Sequence, residues 1–210
     1  MVESIRTAHA KINLTLRVLG RRADGFHALE SLIAFAADVG DGVRLFADAE
    51  PDPRRLGGGQ IPDVTVIGPH AGAIVGDNLL ARTLALVVDA AGAVGAAALR
   101  PVRVHLDKQL PVAAGLGGGS ADAAALLGLL QRHLGGVAPQ VAQRIAWTEI
   151  AARLGSDVPV CVSGVPAIVS GRGEIVTPLA HLAETGFLLN PTTDKTKHSY
   201  PHCWRCKGPI

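Results

Sequence analysis

Four of the five residues from Gly115 to Gly119 are glycine, and Ser120 and Asp122 follow at the head of the apolar run "SADAAALLGLL". Clustered glycine is costly in backbone entropy and needs a reason. One reason is a backbone that approaches a ligand closely and is delivered onto a helix N-terminus, whose free N–H groups favour an anion. The alternative is a flexible surface loop. Under the first reading the N–H groups of Gly117 to Ala121 wrap a triphosphate, and the helix dipole adds about half a positive charge at its end. Ser120 then offers its hydroxyl to a phosphate or to Mg²⁺, or serves as a plain N-cap, and the two roles are compatible. A second group, Cys203 and Cys206 with His198 and His202 nearby, is at most half of a zinc site. A structural site wants four ligands, so no metal site is assigned and an unrelated tail is the favoured reading.

Two familiar phosphate devices are excluded by spacing. A Walker A loop ends in Gly-Lys-Ser/Thr, whereas Gly119 is followed directly by Ser120. A dinucleotide fingerprint counted from Gly115 needs glycine where Ser120 stands, and an acidic residue after a second strand where only helix is expected.

The elements that must position these residues follow from periodicity. Ala8 to Leu19 alternates, with Ile12, Leu14, Leu16 and Val18 on one face and Lys11 on the other, which predicts a half-buried strand. Asp24-Gly25 signals a turn. "ALESLIAFA" and "DGVRLFA" read as two further strands, 48–63 as a surface loop and "DVTVIG" as a short strand. Asn78 is placed to cap a helix to about Ala90, with Leu80, Leu84, Val87 and Val88 sharing a face. "PVRVHLDKQLP" is a strand leading into the glycine cluster, and Ser120 to Leu134 a helix leaving it. Another helix is expected from Pro139 to Gly155, then a loop "SDVPVCVSG" and short strands "PAIVSG", "EIVTPL" and "GFLLN". Mixed rather than alternating strands and helices predict an α+β fold.

With 210 residues, 48% of them hydrophobic, the chain can bury a real core, and a net charge of +2 gives no general case for nucleic acid or membrane surfaces. Arg82, Asp89 and Asp122 interrupt the candidate membrane spans, and Glu3, Arg6 and Lys11 spoil a secretory apolar segment. A cytoplasmic setting is expected.

What remains, Pro-x-x-x-Gly-Leu-Gly-Gly-Gly-Ser before an alanine-rich helix, resembles the second motif of the GHMP small-molecule kinases. "AHAKINLTLRVLGRRADGFHALES" (Ala8 to Ser31) resembles the opening of one of its branches, the 4-diphosphocytidyl-2-C-methyl-D-erythritol kinase family of the non-mevalonate isoprenoid route, with Phe26 where that family has tyrosine. "DNLLARTL", "DKQLPVAAGLGGGSADAAALL", "LGSDVPVCVSG" and "GRGEIVTPL" continue the match in order to about residue 190.

The resemblance implies a kinase that transfers the ATP γ-phosphoryl group, with Mg²⁺, to the 2-hydroxyl of the methylerythritol part of a small-molecule cytidine diphosphate substrate. Asp157 is implied as the base and Lys11 as its cationic partner; read alone, they are a turn carboxylate and a strand lysine. The ATP-binding segment would comprise Pro111, Val112, Ala113, Ala114, Gly115 and Leu116, continuing through Gly117, Gly118, Gly119, Ser120 and Ala121. Asn78 and Lys108 are implied near the adenosine, although both are also plain cap and strand-end residues. Asn13, Phe26 and His27 are implied at the cytidine end. An asparagine and a histidine each offer a donor and an acceptor, and Phe26 keeps a stacking face without a hydroxyl.

The same resemblance implies a GHMP N-terminal domain with a mixed or antiparallel sheet, like a domain of a small-subunit ribosomal protein, over 1–170. The start of a C-terminal domain is implied over 171–191 and a tail outside the family over 192–210. The third, glycine-rich motif of the family is absent, so one wall of the interdomain cleft is expected to be missing and an apolar face exposed. A non-catalytic nucleotide-binding fragment, or another GHMP kinase acting on homoserine or a mevalonate derivative, are the alternatives. An RNA-binding module is disfavoured by the low charge and the 3% aromatic content.

Overall fold

Two long strands pair first. β1 (Val2–Arg21) and β2 (His27–Ala47) run antiparallel over almost their full lengths. The structure, a computed structural model, describes residues 2–23, 25, 27–47, 63–74, 78–95 and 102–179. Phe26, nearly all of the expected 48–63 loop, the "GFLLN" strand and the tail with Cys203 and Cys206 lie outside the described residues.

The two strands expected within β2 are one continuous element: its pairing with β1 ends at Phe35, opposite Lys11, and resumes at Gly40, opposite His9, across a bulge at 36–39. Gly40 permits this: a Cβ there would sit 2.5 Å from the Ala8 carbonyl oxygen. Register shifts between His9 and Lys11, Asn13 and Thr15, and Val18 and Gly20 break the alternation of β1. The expected buried face is accordingly corrected. Leu14 and Leu16 are each 39% exposed and Val18 64%, while Ala8, Ala10 and Lys11 are buried. Residues 14–21 of β1 are exposed throughout.

β3 (Asp63–Ile67) and β4 (Val102–Asp107) form the parallel pair of a six-stranded sheet ordered β3-β4-β2-β5-β6, with β1 also on β2. The other pairings are antiparallel, so the sheet is mixed and the fold α+β, as predicted. β5 (Ala167–Gly171) and β6 (Ile175–Pro178) extend this same sheet, so the expected boundary at residue 170 falls inside β5.

The helices pack on one face of the sheet. In α1 (Leu79–Ala93) the Asn78 side chain accepts a hydrogen bond from the Leu80 N–H at 2.9 Å. Leu80, Thr83, Leu84, Val87 and Ala91 form its buried face; Val88, expected there, is rotated outward and 40% exposed. α2 (Gly118–Val137) is buried on nearly all sides in its first half, where small side chains let it lie between the sheet and its neighbours. Leu126, Leu129, Leu130 and Leu134 fill the centre of the core; truncating one such leucine costs about 2–5 kcal/mol.

The single helix expected from Pro139 to Gly155 is two, α3 (Pro139–Arg144) and α4 (Trp147–Leu154). Ile145 turns extended (φ −77°, ψ 129°) and enters the core, and the Trp147 indole N–H captures the Ala142 carbonyl at 2.9 Å. The loop expected at 156–164 contains a short helix, α5 (Val158–Ser163), with proline in its first turn and Gly164 left-handed at its end. Among the described residues no helix is long and apolar enough to cross a membrane.

Candidate active site

The glycine loop is fastened to β1. The Lys11 N–H donates to the Leu116 carbonyl at 2.9 Å, and Leu116 packs with Ala10, Ala36 and Leu110 in a small apolar cluster. Gly117 is the N-cap of α2 in the left-handed region (φ 61°), and a Cβ on it would lie 2.9 Å from Lys11 Cε. Only glycine allows both that backbone conformation and that contact. Ser120 is therefore not the N-cap, as sequence alone allowed, but the third residue of the helix. The N–H groups of Gly118, Gly119 and Ser120 have no intrahelical acceptor, by helix geometry. That of Ala121 is already bound to the Gly117 carbonyl at 2.9 Å, so it drops out of the expected anion cradle. Pro111, Val112, Ala113 and Gly115 are exposed, and Ala114 is half-buried.

Lys11 and Asp157, 146 positions apart in the chain, meet with Nζ 2.9 Å from Asp157 Oδ2. Lys11 is 5% exposed and Asp157, at the start of α5, is 41% exposed. The ammonium is thus set from within, and the carboxylate faces out. A chain of hydrogen bonds extends the pair: Lys11 Nζ donates to Asn13 Oδ1 (2.9 Å), Asn13 Nδ2 to Ser31 Oγ (2.7 Å), and Ser31 Oγ to the Thr15 carbonyl (2.6 Å). Asn13 is therefore oriented by Lys11 on one side and Ser31 on the other, with one N–H left for a ligand.

A second lysine lies on the other side of the loop. Lys108, just past β4, is 3% exposed and donates to Asp41 Oδ2 (2.5 Å) and Asp122 Oδ2 (2.8 Å). The other Asp41 oxygen accepts the N–H groups of Gln109 and Leu110, both at 2.7 Å. A Cβ on Gly118 would sit 3.0 Å from Lys108 Nζ, so this ammonium lies directly beneath the first residue of α2. Burial pushes Asp122 up to about 7; Lys108 opposes the rise and Asp41 adds to it. Burial alone would lower Lys108, but the facing carboxylates outweigh it and hold the ammonium above its ordinary value.

The structure thus brings Lys11, Asn13, Asp157 and Gly117 to one place and sets Lys108 beneath Gly118. It does not bring His27 there. His27 opens β2 opposite Arg21, eight residues from Phe35, the partner of Lys11, or about 26 Å of strand. Asn78 is the cap of α1. Asp41, Asp122 and Ser31 were missed. Of the three only Asp122 carried a signal, a charge inside the otherwise apolar segment of α2. Beside the pair a cavity of about 340 Å³ is lined by Arg6, His9, Phe35, Ala121, Ala125 and Cys161, among others. Burial and the Asp157 charge push the Cys161 thiol up to about 12, which leaves it unreactive. Among the described residues no three His, Cys, Asp or Glu side chains gather as a metal site.

Residues 78–165 match the family described as GHMP kinases N terminal domain. The chain is 43% identical over 191 residues to 4-diphosphocytidyl-2-C-methyl-D-erythritol kinase of Agrobacterium fabrum, covering 90% of this chain and 59% of that protein. It is 47% identical over 186 residues to the protein of the same name from Parvibaculum lavamentivorans, covering 87% and 56%. A crystal structure of 4-(cytidine 5′-diphospho)-2C-methyl-D-erythritol kinase superposes with a TM-score of 0.61 at 33% identity, over 84% of this chain and 55% of the other. The chain spans a little over half the length of the curated relatives it matches.

Proposed function

The chain belongs to the GHMP kinases, in the branch of the 4-diphosphocytidyl-2-C-methyl-D-erythritol kinases, and from that premise we propose that it phosphorylates the 2-hydroxyl of 4-diphosphocytidyl-2-C-methyl-D-erythritol with ATP. The observation that carries this reading is the Lys11–Asp157 pair, 2.9 Å apart and packed on the glycine that begins the loop helix. Phosphoryl transfer asks for positioning and charge stabilisation more than for covalent chemistry by the protein. Asp157, reachable from solvent, accepts the proton of the acceptor hydroxyl as its oxygen bonds to the γ-phosphorus. The bond from the γ-phosphorus to the bridging oxygen breaks, and ADP leaves. Lys11 favours the ionised carboxylate and stabilises charge developing on the acceptor oxygen.

The free N–H groups of Gly118, Gly119 and Ser120 suit the polyphosphate, with Pro111 to Gly117 forming the loop wall. The described residues fit Mg²⁺ only as an ion brought by the phosphates, with the Ser120 hydroxyl as a candidate protein ligand. Asn13 is assigned to the substrate on its remaining N–H, and Phe26 and His27 to the cytidine end on the family resemblance. A cytoplasmic setting fits a kinase of two small, water-soluble reactants.

The test is a coupled ATP-consumption assay with and without the cytidyl substrate. Asp157→Asn and Lys11→Ala should each lose about 10²–10⁴ in turnover with little change in ATP affinity. The double variant should lose much less than the product of the two. Full turnover in either single variant refutes the mechanism. ATP binding without substrate-dependent turnover in the wild type would instead favour a non-catalytic nucleotide-binding role.

A further inference from the structure

The loop 109–117 joins the end of β4 to α2, and both of its ends lie on one buried ion cluster. At the entry, Asp41 Oδ1 accepts the N–H groups of Gln109 and Leu110, both at 2.7 Å. Asp41 Oδ2 accepts from Lys108 Nζ, which also reaches Asp122 Oδ2, near the start of α2, at 2.8 Å. Lys108 is itself a fixed post. Its N–H donates to the Ile67 carbonyl at 2.8 Å, and its carbonyl accepts the His70 N–H at 3.2 Å. The backbone of Gly118 rests on the cluster: a Cβ there would lie 3.0 Å from Lys108 Nζ, 3.5 Å from Asp41 Oδ2 and 3.6 Å from Leu110 Cδ1. Fold stability does not call for Asp122. It is 3% exposed, and its Oδ1 is buried without a hydrogen-bond partner. A buried carboxylate so poorly satisfied costs stability, and such breaches of local consistency belong mainly to functional sites.

We propose that Asp41, Lys108 and Asp122 staple the two ends of the glycine loop together, and so position the N–H groups of Gly118, Gly119 and Ser120 for the polyphosphate of ATP. This rests on the reading of the loop as a nucleotide site. A cradle of backbone donors binds only as well as its donors are aimed, because hydrogen bonds weaken steeply off line. Such a cradle is therefore preorganised by the groups behind it. Burial does not fix the middle of this loop, where Pro111, Val112, Ala113 and Gly115 are exposed. Its course is set instead by Asp41 at Gln109 and Leu110, by the Lys11 N–H at Leu116, and by Asp122 beyond Gly118. Lys108 joins the first of these points to the last. Its ammonium, buried between two carboxylates, acts on the nucleotide through the loop and not by contact with adenosine. All three side chains are positioning residues.

The experiment is calorimetric titration of the full chain with ATP and Mg²⁺ for wild type, Asp122→Ala and Asp122→Asn, with urea unfolding of the same samples. Asp122→Ala removes the anchor on α2 and leaves Lys108 paired with Asp41. Asp122→Asn keeps an amide oxygen where Oδ2 stands, so the bond from Lys108 survives. Asp122→Ala should weaken ATP binding by about 10–100-fold, the usual effect of removing a group that orients a ligating one. Asp122→Asn should bind ATP as wild type does. Amide exchange at Gly118, Gly119 and Ser120 should quicken in the alanine variant and not in the asparagine one. A group that served the fold alone would lower the urea midpoint when removed and leave the Kd of the folded protein unmoved. Wild-type Kd in folded Asp122→Ala, or equal losses in the two variants, therefore overturns the inference while leaving the nucleotide site intact. Absence of ATP binding in the wild type overturns the nucleotide reading and this inference with it. Should Asp122→Ala fail to fold, Asp41→Asn takes its place with the same two outcomes: its oxygen keeps the Gln109 and Leu110 N–H groups, while its amide nitrogen faces Lys108 and breaks the staple. Loss of ATP affinity in Asp122→Asn overturns the inference in either case.

Discussion

Replacing Gly117 by alanine tests the site through a single methyl group. Gly117 sits at φ 61°, where a non-glycine residue costs about 1–2 kcal/mol. Its new Cβ would meet Lys11 Cε at 2.9 Å and Lys11 Cβ at 3.1 Å. Lys11 is 5% exposed, held by Asp157 and Asn13, and tied by its own N–H to Leu116, so it cannot swing away freely. Overpacking of this kind adds about 1–3 kcal/mol, for a total of roughly 2–5. The easiest relief moves the ammonium off Asp157, and misplacement on the order of 1 Å costs about 10² in rate. Gly117→Ala should therefore unfold at lower urea and turn over ATP on the order of 100-fold more slowly. Gly119→Ala is the control. It lies one turn-step on, within the helix, and its Cβ would meet nothing within 4 Å among the described residues. Free of ligand, that variant should be more stable by about 0.5–1 kcal/mol. It should nevertheless bind ATP more weakly, because the methyl group would occupy the space assigned to phosphate. Denaturation curves and ATP titrations on both variants decide the matter. If Gly117→Ala keeps full turnover, or Gly119→Ala binds ATP as tightly as wild type, the loop does not hold a nucleotide in the way described.

Gly40→Ala should destabilise the fold by at least about 2 kcal/mol, since its Cβ would collide with the Ala8 backbone and not with a movable side chain; urea midpoints near wild type would contradict this. Asp122, raised by burial from 3.8 to about 7, binds a proton in the folded state that the unfolded chain releases between those values. Its contribution is thus fully present below about pH 4 and is lost as pH rises to 7. Asp122→Asn should accordingly gain stability relative to wild type over that window, by a few kcal/mol at most; parallel stability profiles would refute the buried proton. Cys161 should resist iodoacetamide at about pH 8 in the folded protein and react on unfolding, because its thiol is pushed up to about 12. Peptide mass spectrometry that finds native Cys161 alkylated would place it in a different environment.

The sequence by itself determined the local chemistry. Alternating residues gave strands at β1, β3 and β4. Asn78 capped a helix and proline-to-glycine punctuation bounded others, because caps and periodicity are short-range properties of the chain. The glycine run before "SADAAALL" marked the start of α2 for the same reason. The sequence did not show that Ile145 would break a predicted helix, since that outcome depends on a core formed by other segments. Nor did it show which face of β1 would be buried. Register shifts reset the alternation, and α2, which packs on β1, comes from far along the chain. In the sequence Asp41 only opens the expected strand "DGVRLFA", and Asp122 interrupts an apolar run. Only the tertiary structure set them on either side of Lys108, where burial turns three ordinary charges into one coupled group. The pairing of Lys11 with Asp157 was decided in the same way. A separation of 146 positions along the chain carries no distance information, and it is the packing of α2 on β1 and of α5 on α2 that closes it to 2.9 Å.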